Sequence, residues 1–322
     1  MRIVILGAGG LGASLGGWLA RAGSDVTLVF RRQAHVDAIH AHGLIVTGVE
    51  EFTIPVRATV DAAEVGETDL LIVCVKNKDT NEALMKTQSM RVGCVTSMQN
   101  SLTKDEPLIA CFGREKVIGS ACFTGGTLSD YGKVTRANRR STYFGELDGS
   151  RSQRLETIIH TFNQAGLQAH FTDDVTGLEW TKQAWWIPQA VLSALTRLPF
   201  VQVYLRAGLA RLVAVLTREV AAVANACGQR IGDYPELDIL PILEGPLEEA
   251  AAKVQAKGED FVKQGMTDYE ASMLLDVINR RRTELEETAG SVMKMAVEHG
   301  LSLPYLEFAY RAVSGIEQDY GN

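Results

Sequence analysis

The chain begins with a short apolar run, Arg2-Ile3-Val4-Ile5-Leu6, and passes at once into Gly7-Ala8-Gly9-Gly10-Leu11-Gly12. An unbroken apolar run of this length reads as a strand of a parallel sheet, buried on both faces. The glycine pattern G-x-G-x-x-G stands directly behind it, ahead of a helical pattern from about Leu11 to Ala22 that closes at Gly23. Few folds accept that order. Gly7 permits a tight turn, Gly9 lets the backbone approach a pyrophosphate, and Gly12 lets the helix pack close to the strand. The helix start adds unpaired N–H groups and the positive end of its dipole. Gly7, Ala8, Gly9, Gly10, Leu11 and Gly12 are therefore candidate cofactor-binding positions. A second strand, Asp25 to Phe30, completes the unit.

The end of that second strand selects the cofactor. A binder of NAD places Asp or Glu there for the ribose 2′-hydroxyl. This chain has Phe30-Arg31-Arg32, and Asp25 comes too early, at the start of the strand. Arginine pairs with a 2′-phosphate through two parallel hydrogen bonds, where a carboxylate would repel it. The expectation is NADP(H), with Arg31 on the 2′-phosphate.

Further strands are expected in short pieces within 44–60, interrupted by Pro55, and then at Asp69–Val75, Arg91–Ser97 and Lys116–Cys122. Strands alternating with helices predict an α/β fold with a doubly wound parallel sheet. Near residue 170 the strand signal fades. Helical patterns follow over 176–197, 205–227, 235–257, 267–279 and 283–299. This predicts an N-terminal Rossmann domain over 1–172 and an all-helical domain for substrate and dimerisation over 173–322. A ligand cleft is expected between two such domains.

A formal net charge of −7 argues against a general nucleic-acid binder. The five cysteines, Cys74, Cys94, Cys111, Cys122 and Cys227, form no C-x-x-C pair, and disulfides or zinc are not expected. The six histidines show no ligand spacing, so no metal is expected. No secretory leader and no membrane span are read from the sequence, and a cytoplasmic protein is expected. Arg136, Arg139 and Arg140 read as a small solvated basic cluster, and Thr124-Gly125-Gly126 as a turn placed to face the cleft.

At this point the sequence resembles a known family, the ketopantoate (2-dehydropantoate) reductases, over nearly its whole length. The shared features are GAGGLG at 7–12, Arg31, Val75-Lys76 and Gln99-Asn100, followed by Glu179-Trp180-Thr181-Lys182. Ser272-Met273-Leu274-Leu275-Asp276, Thr283-Glu284-Leu285 and His299-Gly300-Leu301-Ser302-Leu303-Pro304 complete them. The resemblance implies NADPH-dependent reduction of a 2-oxo acid to a hydroxy acid, a step of pantothenate biosynthesis. It implies that Lys182 is the general acid and that Glu284 holds and orients a substrate hydroxyl. It places Asn100 against both cofactor and substrate, Lys76 beside the cofactor, and Ser272 on the substrate carboxylate. The chemistry is consistent: hydride delivery to a ketone builds negative charge on oxygen, which a cationic donor stabilises and protonates.

The chain departs from the family where substrate is read. The family carries asparagines four and eight residues after its lysine, and here those positions are Trp186 and Ala190. The glycine after Gln99-Asn100 is Ser101, and the asparagine before Gly290 is Ala289. Trp186 is expected to face the substrate. Three readings stay open from the sequence: a reductase of ketopantoate or a related 2-oxo acid, a dehydrogenase of a more apolar hydroxy compound, and a dinucleotide-binding protein without turnover. The helical domain could support a homodimer.

Overall fold

The computed structural model describes residues 1–136, 138, 140–234, 236–267 and 271–320. The chain divides into two compact units, Met1–Val175 and Thr176–Asn322. The described strands are β1 (Arg2–Leu6), β2 (Asp25–Val29), β3 (Leu44–Gly48), β4 (Phe52–Ile54), β5 (Arg57–Thr59) and β6 (Glu67–Val73). After them come β7 (Arg91–Ser97), β8 (Val117–Cys122), β9 (Gly126–Asp130), β10 (Lys133–Arg136), β11 (Thr142–Glu146) and β12 (Ala169–Phe171). The helices of the first unit are α1 (Gly10–Arg21), α2 (Gln33–His42), α3 (Thr80–Met85), α4 (Glu106–Phe112) and α5 (Gln153–Gln164). Those that follow are α6 (Val175–Thr196), α7 (Phe200–Leu205), α8 (Ala207–Ala226), α9 (Leu240–Leu243), α10 (Leu247–Lys263), α11 (Ser272–Ile278), α12 (Ser291–Glu298) and α13 (Pro304–Glu317).

The large sheet runs β12-β11-β8-β7-β6-β1-β2-β5. Its strands are parallel from β8 to β5, and β11 turns antiparallel to β8. Alternation explains why β1 and β6 sit at its centre. Ile3 and Ile5 stand opposite Leu70 and Ile72 and feed one apolar cluster. Val4 and Leu6 stand opposite Leu71 and Val73 and feed another on the other face. Both faces of these strands are thus withdrawn from water, as a doubly wound sheet requires.

The alternating pieces within 44–60 become three strands, of which only β5 joins the large sheet. β3 and β4 belong to a second, four-stranded sheet ordered β4-β3-β10-β9. Helix α1 lies between the two sheets and meets each through a glycine. A Cβ on Gly16 would collide with Leu28 of the large sheet, and one on Gly17 would lie 2.9 Å from Leu44 and Val46 of the small one. On the same helix the Trp18 ring meets Phe52 edge-on at 5.6 Å.

Arg136 overturns the solvated-cluster expectation. It is 2% exposed, with its guanidinium 4.5 Å from the centre of the Trp18 ring. A guanidinium is weakly hydrated and flat, so an aromatic face can cover it where a lysine would be too costly to bury. Arg140 is half-buried, and Arg139 lies outside the described residues.

In the helical unit the pattern over 235–257 breaks into α9 and α10 at Gly245-Pro246. Gly245 has φ +76° and Pro246 caps α10. A proline holds the residue before it away from the helical region, which forces the break. Part of the 267–279 pattern falls on residues outside the description, and α11 starts at Ser272. The 283–299 pattern resolves into a π-helical turn, Glu286–Gly290, followed by α12. The α13 helix, which the periodicity left out, is anchored by Glu219 of α8: its two carboxylate oxygens accept from the backbone N–H of Tyr305 (3.1 Å) and Leu306 (2.7 Å). These are orphan donors of a helix start, satisfied by a side chain from another helix.

Candidate active site

In the first unit the candidate residues gather along the carboxyl edge of four adjacent parallel strands, β7-β6-β1-β2. The loop after β1 is fixed by β2, because Val29 O accepts from both Gly7 N (3.1 Å) and Ala8 N (2.9 Å). Gly7 has φ +92°, a left-handed conformation that only glycine adopts cheaply, and a Cβ there would lie 2.5 Å from Val75 N. Gly12 is confined in the same way, with Gly7 O at 2.6 Å and Ile5 at 2.8 Å from the Cβ it lacks. Gly9 differs: nothing lies within 4 Å of its Cβ position. It is also the N-cap of α1, with no side-chain cap and no acidic residue in the first turn. The helix start therefore presents N–H groups and positive dipole without a competing anion.

Gly10 has a packing role that the motif alone does not reveal. A Cβ at Gly10 would run into the carbonyl of Gly126, and one at Gly126 would lie 2.5 Å from Gly10 O. The Thr124-Gly125-Gly126 turn thus lies backbone to backbone against the start of α1. Gly126 is a site-shaping residue whose only sequence signal was its glycine-rich turn.

The ends of β6 and β7 are tied together by Gln99. Its Nε2 donates to Val75 O (2.8 Å) and Thr80 Oγ1 (2.7 Å), and its Oε1 accepts from Ser97 Oγ (2.7 Å). Asn100 follows directly, and its carbonyl accepts from Asn77 Nδ2 at 3.3 Å. Lys76, half-buried, caps the short turn Asn77–Asp79. Ser101, where the family has glycine, is 2% exposed. Its hydroxyl pairs with Thr103 Oγ1 (3.1 Å) and accepts from Thr103 N (3.2 Å), so the substitution is absorbed by a local turn.

Arg31 stands past the end of β2. Its side chain is 81% exposed, with Asp79 at 4.0 Å. An exposed pair at that distance is weak and easily exchanged for another anion. Beside it the Phe30 ring stacks on His35 at 5.0 Å, and His35 Nδ1 accepts from Gly132 N at 3.4 Å. Burial, then the charge of Arg32, lowers the His35 pKa, with Asp130 opposing. Burial pushes the pKa of the Cys74 thiol up, which disfavours its thiolate.

In the helical unit the candidates sit on separate elements. Lys182 lies on α6 and is 5% exposed. One residue earlier, Thr181 is locked: its Oγ1 donates to Gly177 O (2.7 Å) and accepts from Gly232 N (2.9 Å). Trp186 and Ala190, one and two turns on, are both buried. Ser272 is the first residue of α11 and is exposed. Asp276 of the same helix is buried and bridged by Arg281 at 3.2 Å. Glu284, half-buried, lies in a turn held on both sides. Glu317 accepts from Thr283 N (2.9 Å), and the Glu284 carbonyl accepts from Thr288 Oγ1 (2.6 Å). Ala289, in place of the family's asparagine, is fully buried.

Among the described residues no group of His, Cys, Asp and Glu is arranged to hold a metal ion. Nor is any described helix long and apolar enough to cross a membrane.

Two family models match the chain in tandem: ketopantoate reductase PanE/ApbA over residues 3–149, and its C-terminal domain over 174–317. The chain belongs to the ketopantoate reductase family. A 2-dehydropantoate 2-reductase of Archaeoglobus fulgidus is 30% identical over 98% of each chain. The structure of 2-dehydropantoate 2-reductase from Geobacter metallireducens GS-15 superposes with a TM-score of 0.84 at 27% identity, covering 98% of this chain and 99% of that one. A D-mandelate dehydrogenase, solved with NADH and anilino(oxo)acetate, shares the fold of this family member at a TM-score of 0.85 and 22% identity, over 99% of each chain.

Proposed function

We propose that this family member reduces the keto group of a 2-oxo acid, ketopantoate or a related compound, with NADP(H) as cofactor and Lys182 as general acid. The observation that carries the reading is a lysine 5% exposed on α6, at the family's lysine position. A general acid kept out of bulk water is what protonation of a growing alkoxide requires, and burial of an amine favours release of its proton.

The residues fit a nicotinamide dinucleotide. Gly9 leaves room for a pyrophosphate to reach the backbone, the start of α1 carries no competing acid, and Arg31 is exposed for a 2′-phosphate. Lys76 and Asn100 stand at the ends of the next two strands and would line the same edge. When bound, the cofactor supplies the hydride to the substrate carbonyl carbon. Lys182 then has two tasks: Nζ–H stabilises the charge that grows on the carbonyl oxygen, and it delivers the proton that makes the alcohol. Glu284 accepts a hydrogen bond from a substrate hydroxyl and so orients it. Asn100 contacts cofactor and substrate, and Ser272 donates to the substrate carboxylate. A Lys182→Ala protein should keep NADPH affinity and lose about 10²–10⁴ in kcat. Full turnover in that variant would contradict the assignment.

A second reading rests on Trp186. An aromatic side chain, 9% exposed at a position where the family has asparagine, favours a more apolar hydroxy compound as substrate. Turnover of 2-oxo acids with apolar side chains in preference to ketopantoate would favour it. A dinucleotide-binding protein without turnover is the outcome if no 2-oxo acid oxidises bound NADPH.

A further inference from the structure

Two oppositely charged residues meet at the end of the glycine loop. Arg31 follows β2 and Asp79 follows β6. β1 lies between those strands, so their ends are about 10 Å apart, with the Gly7–Gly12 loop leaving from the strand in the middle. The two side chains close that gap: Arg31 Nη1 and Asp79 Oδ2 are 4.0 Å apart. Among the described residues Arg31 has no other charged partner.

Asp79 has a different task open to it and does not perform it. It stands at the N-cap of α3, where an aspartate ordinarily accepts from the N–H groups of the first helical turn. That bond needs an extended backbone, whereas Asp79 has φ −94° and ψ −1°, and its carboxylate makes no bond to the helix start. Its backbone is nonetheless held. Asp79 N donates to Lys76 O at 2.9 Å, and the next residue, Thr80, accepts from Gln99 Nε2 at 2.7 Å. The result is a carboxylate on a fixed backbone, released from its helix and set beside Arg31. The chain lacks an acid at the end of β2, but the fold brings one there from β6.

A phosphate monoester carries nearly two negative charges near neutral pH. To reach Arg31, a 2′-phosphate must displace Asp79 and then stay near it, with two anions sharing one guanidinium. Like charges at that range repel. NADH has only a hydroxyl at the same position and meets no such penalty.

We infer that Asp79 determines cofactor specificity: its carboxylate competes with the 2′-phosphate for Arg31 and narrows the preference for NADPH over NADH. The inference rests on the proposed 2′-phosphate role of Arg31.

The test titrates wild-type protein and Asp79→Asn with NADPH and with NADH by fluorescence. It is run at about 0.01 M and about 1 M salt, where the screening length is about 30 Å and about 3 Å. Asparagine keeps the size of the side chain and removes its charge. At low salt the variant should bind NADPH about three- to tenfold more tightly, and NADH within about twofold of wild type. At high salt the gain on NADPH should vanish. Asp79→Ser, also a favourable residue at a helix start, should show the same gain and carries the test if the first variant does not fold. An unchanged NADPH affinity at low salt, an equal gain on both cofactors, or a gain that high salt leaves intact overturns this inference. If Arg31→Ala still weakens NADPH selectively, the 2′-phosphate role of Arg31 stands. If wild type binds neither cofactor, or if neither Asp79→Asn nor Arg31→Ala changes NADPH relative to NADH, both fall.

Discussion

The carboxyl edge of the large sheet and the Lys182 face of helix α6 answer to different kinds of constraint. Along the sheet edge the site is made of backbone. Gly7 is fixed by its left-handed φ and by Val75, Gly12 by Gly7 and Ile5, and Gly10 by the carbonyl of Gly126. A side chain at any of these meets atoms that cannot give way. On α6 the corresponding positions are side chains, and there the family's asparagines have become Trp186 and Ala190 without breaking the helix. Backbone contact leaves the loop glycines no room for a side chain, whereas a helix face accepts exchanged side chains as long as the packing around them is kept.

The comparison breaks most sharply at Gly10. Gly10→Ala should cost about 3 kcal/mol through overlap with the Gly126 carbonyl, and should weaken dinucleotide binding with it. Chemical denaturation together with an NADPH titration reads both. A variant as stable and as tight as wild type would mean that this loop is not fixed by backbone contact. Next in size is Arg31→Ala. It should lower NADPH affinity by about 2 kcal/mol, near thirtyfold, and leave NADH unchanged, because one charge-assisted pair is lost. Equal losses for both cofactors would remove Arg31 from the 2′-phosphate.

The smallest effect concerns His35. Its folded pKa lies below the ordinary value because burial, then Arg32, disfavours the cation. The unfolded chain takes up the proton first, so the stability contributed by the neutral ring is complete above about pH 6.5 and is lost as the pH falls toward the folded value. His35→Phe keeps the stack on Phe30 and should flatten this part of the thermal midpoint measured between pH 7.5 and 5. An unchanged slope would mean that other groups carry the acid sensitivity.

Much of the first unit was legible because its signals are local. The apolar run Ile3–Leu6, the glycines behind it and the strand ending before Arg31 lie within about 30 residues, the reach of one strand–helix–strand unit. The small sheet was harder to read. β3 pairs with β10, Ile45 opposite Lys133, and no local pattern announces a partner so far along the chain. Arg136 looked solvated for the same reason: the ring that covers it belongs to Trp18 in α1. On α6 the lysine and the missing asparagines were visible, but the burial of Gln183, Gln189 and Ser193 was not, since Gln and Ser in a helix ordinarily mark its wet face.

The most direct test of the account is a titration of the purified protein with NADPH and, separately, NADH, followed by addition of ketopantoate to the tighter complex while absorbance is recorded. The account predicts tighter binding of NADPH and rapid oxidation once ketopantoate is added. Binding of NADPH with no oxidation by ketopantoate or any other 2-oxo acid would contradict it.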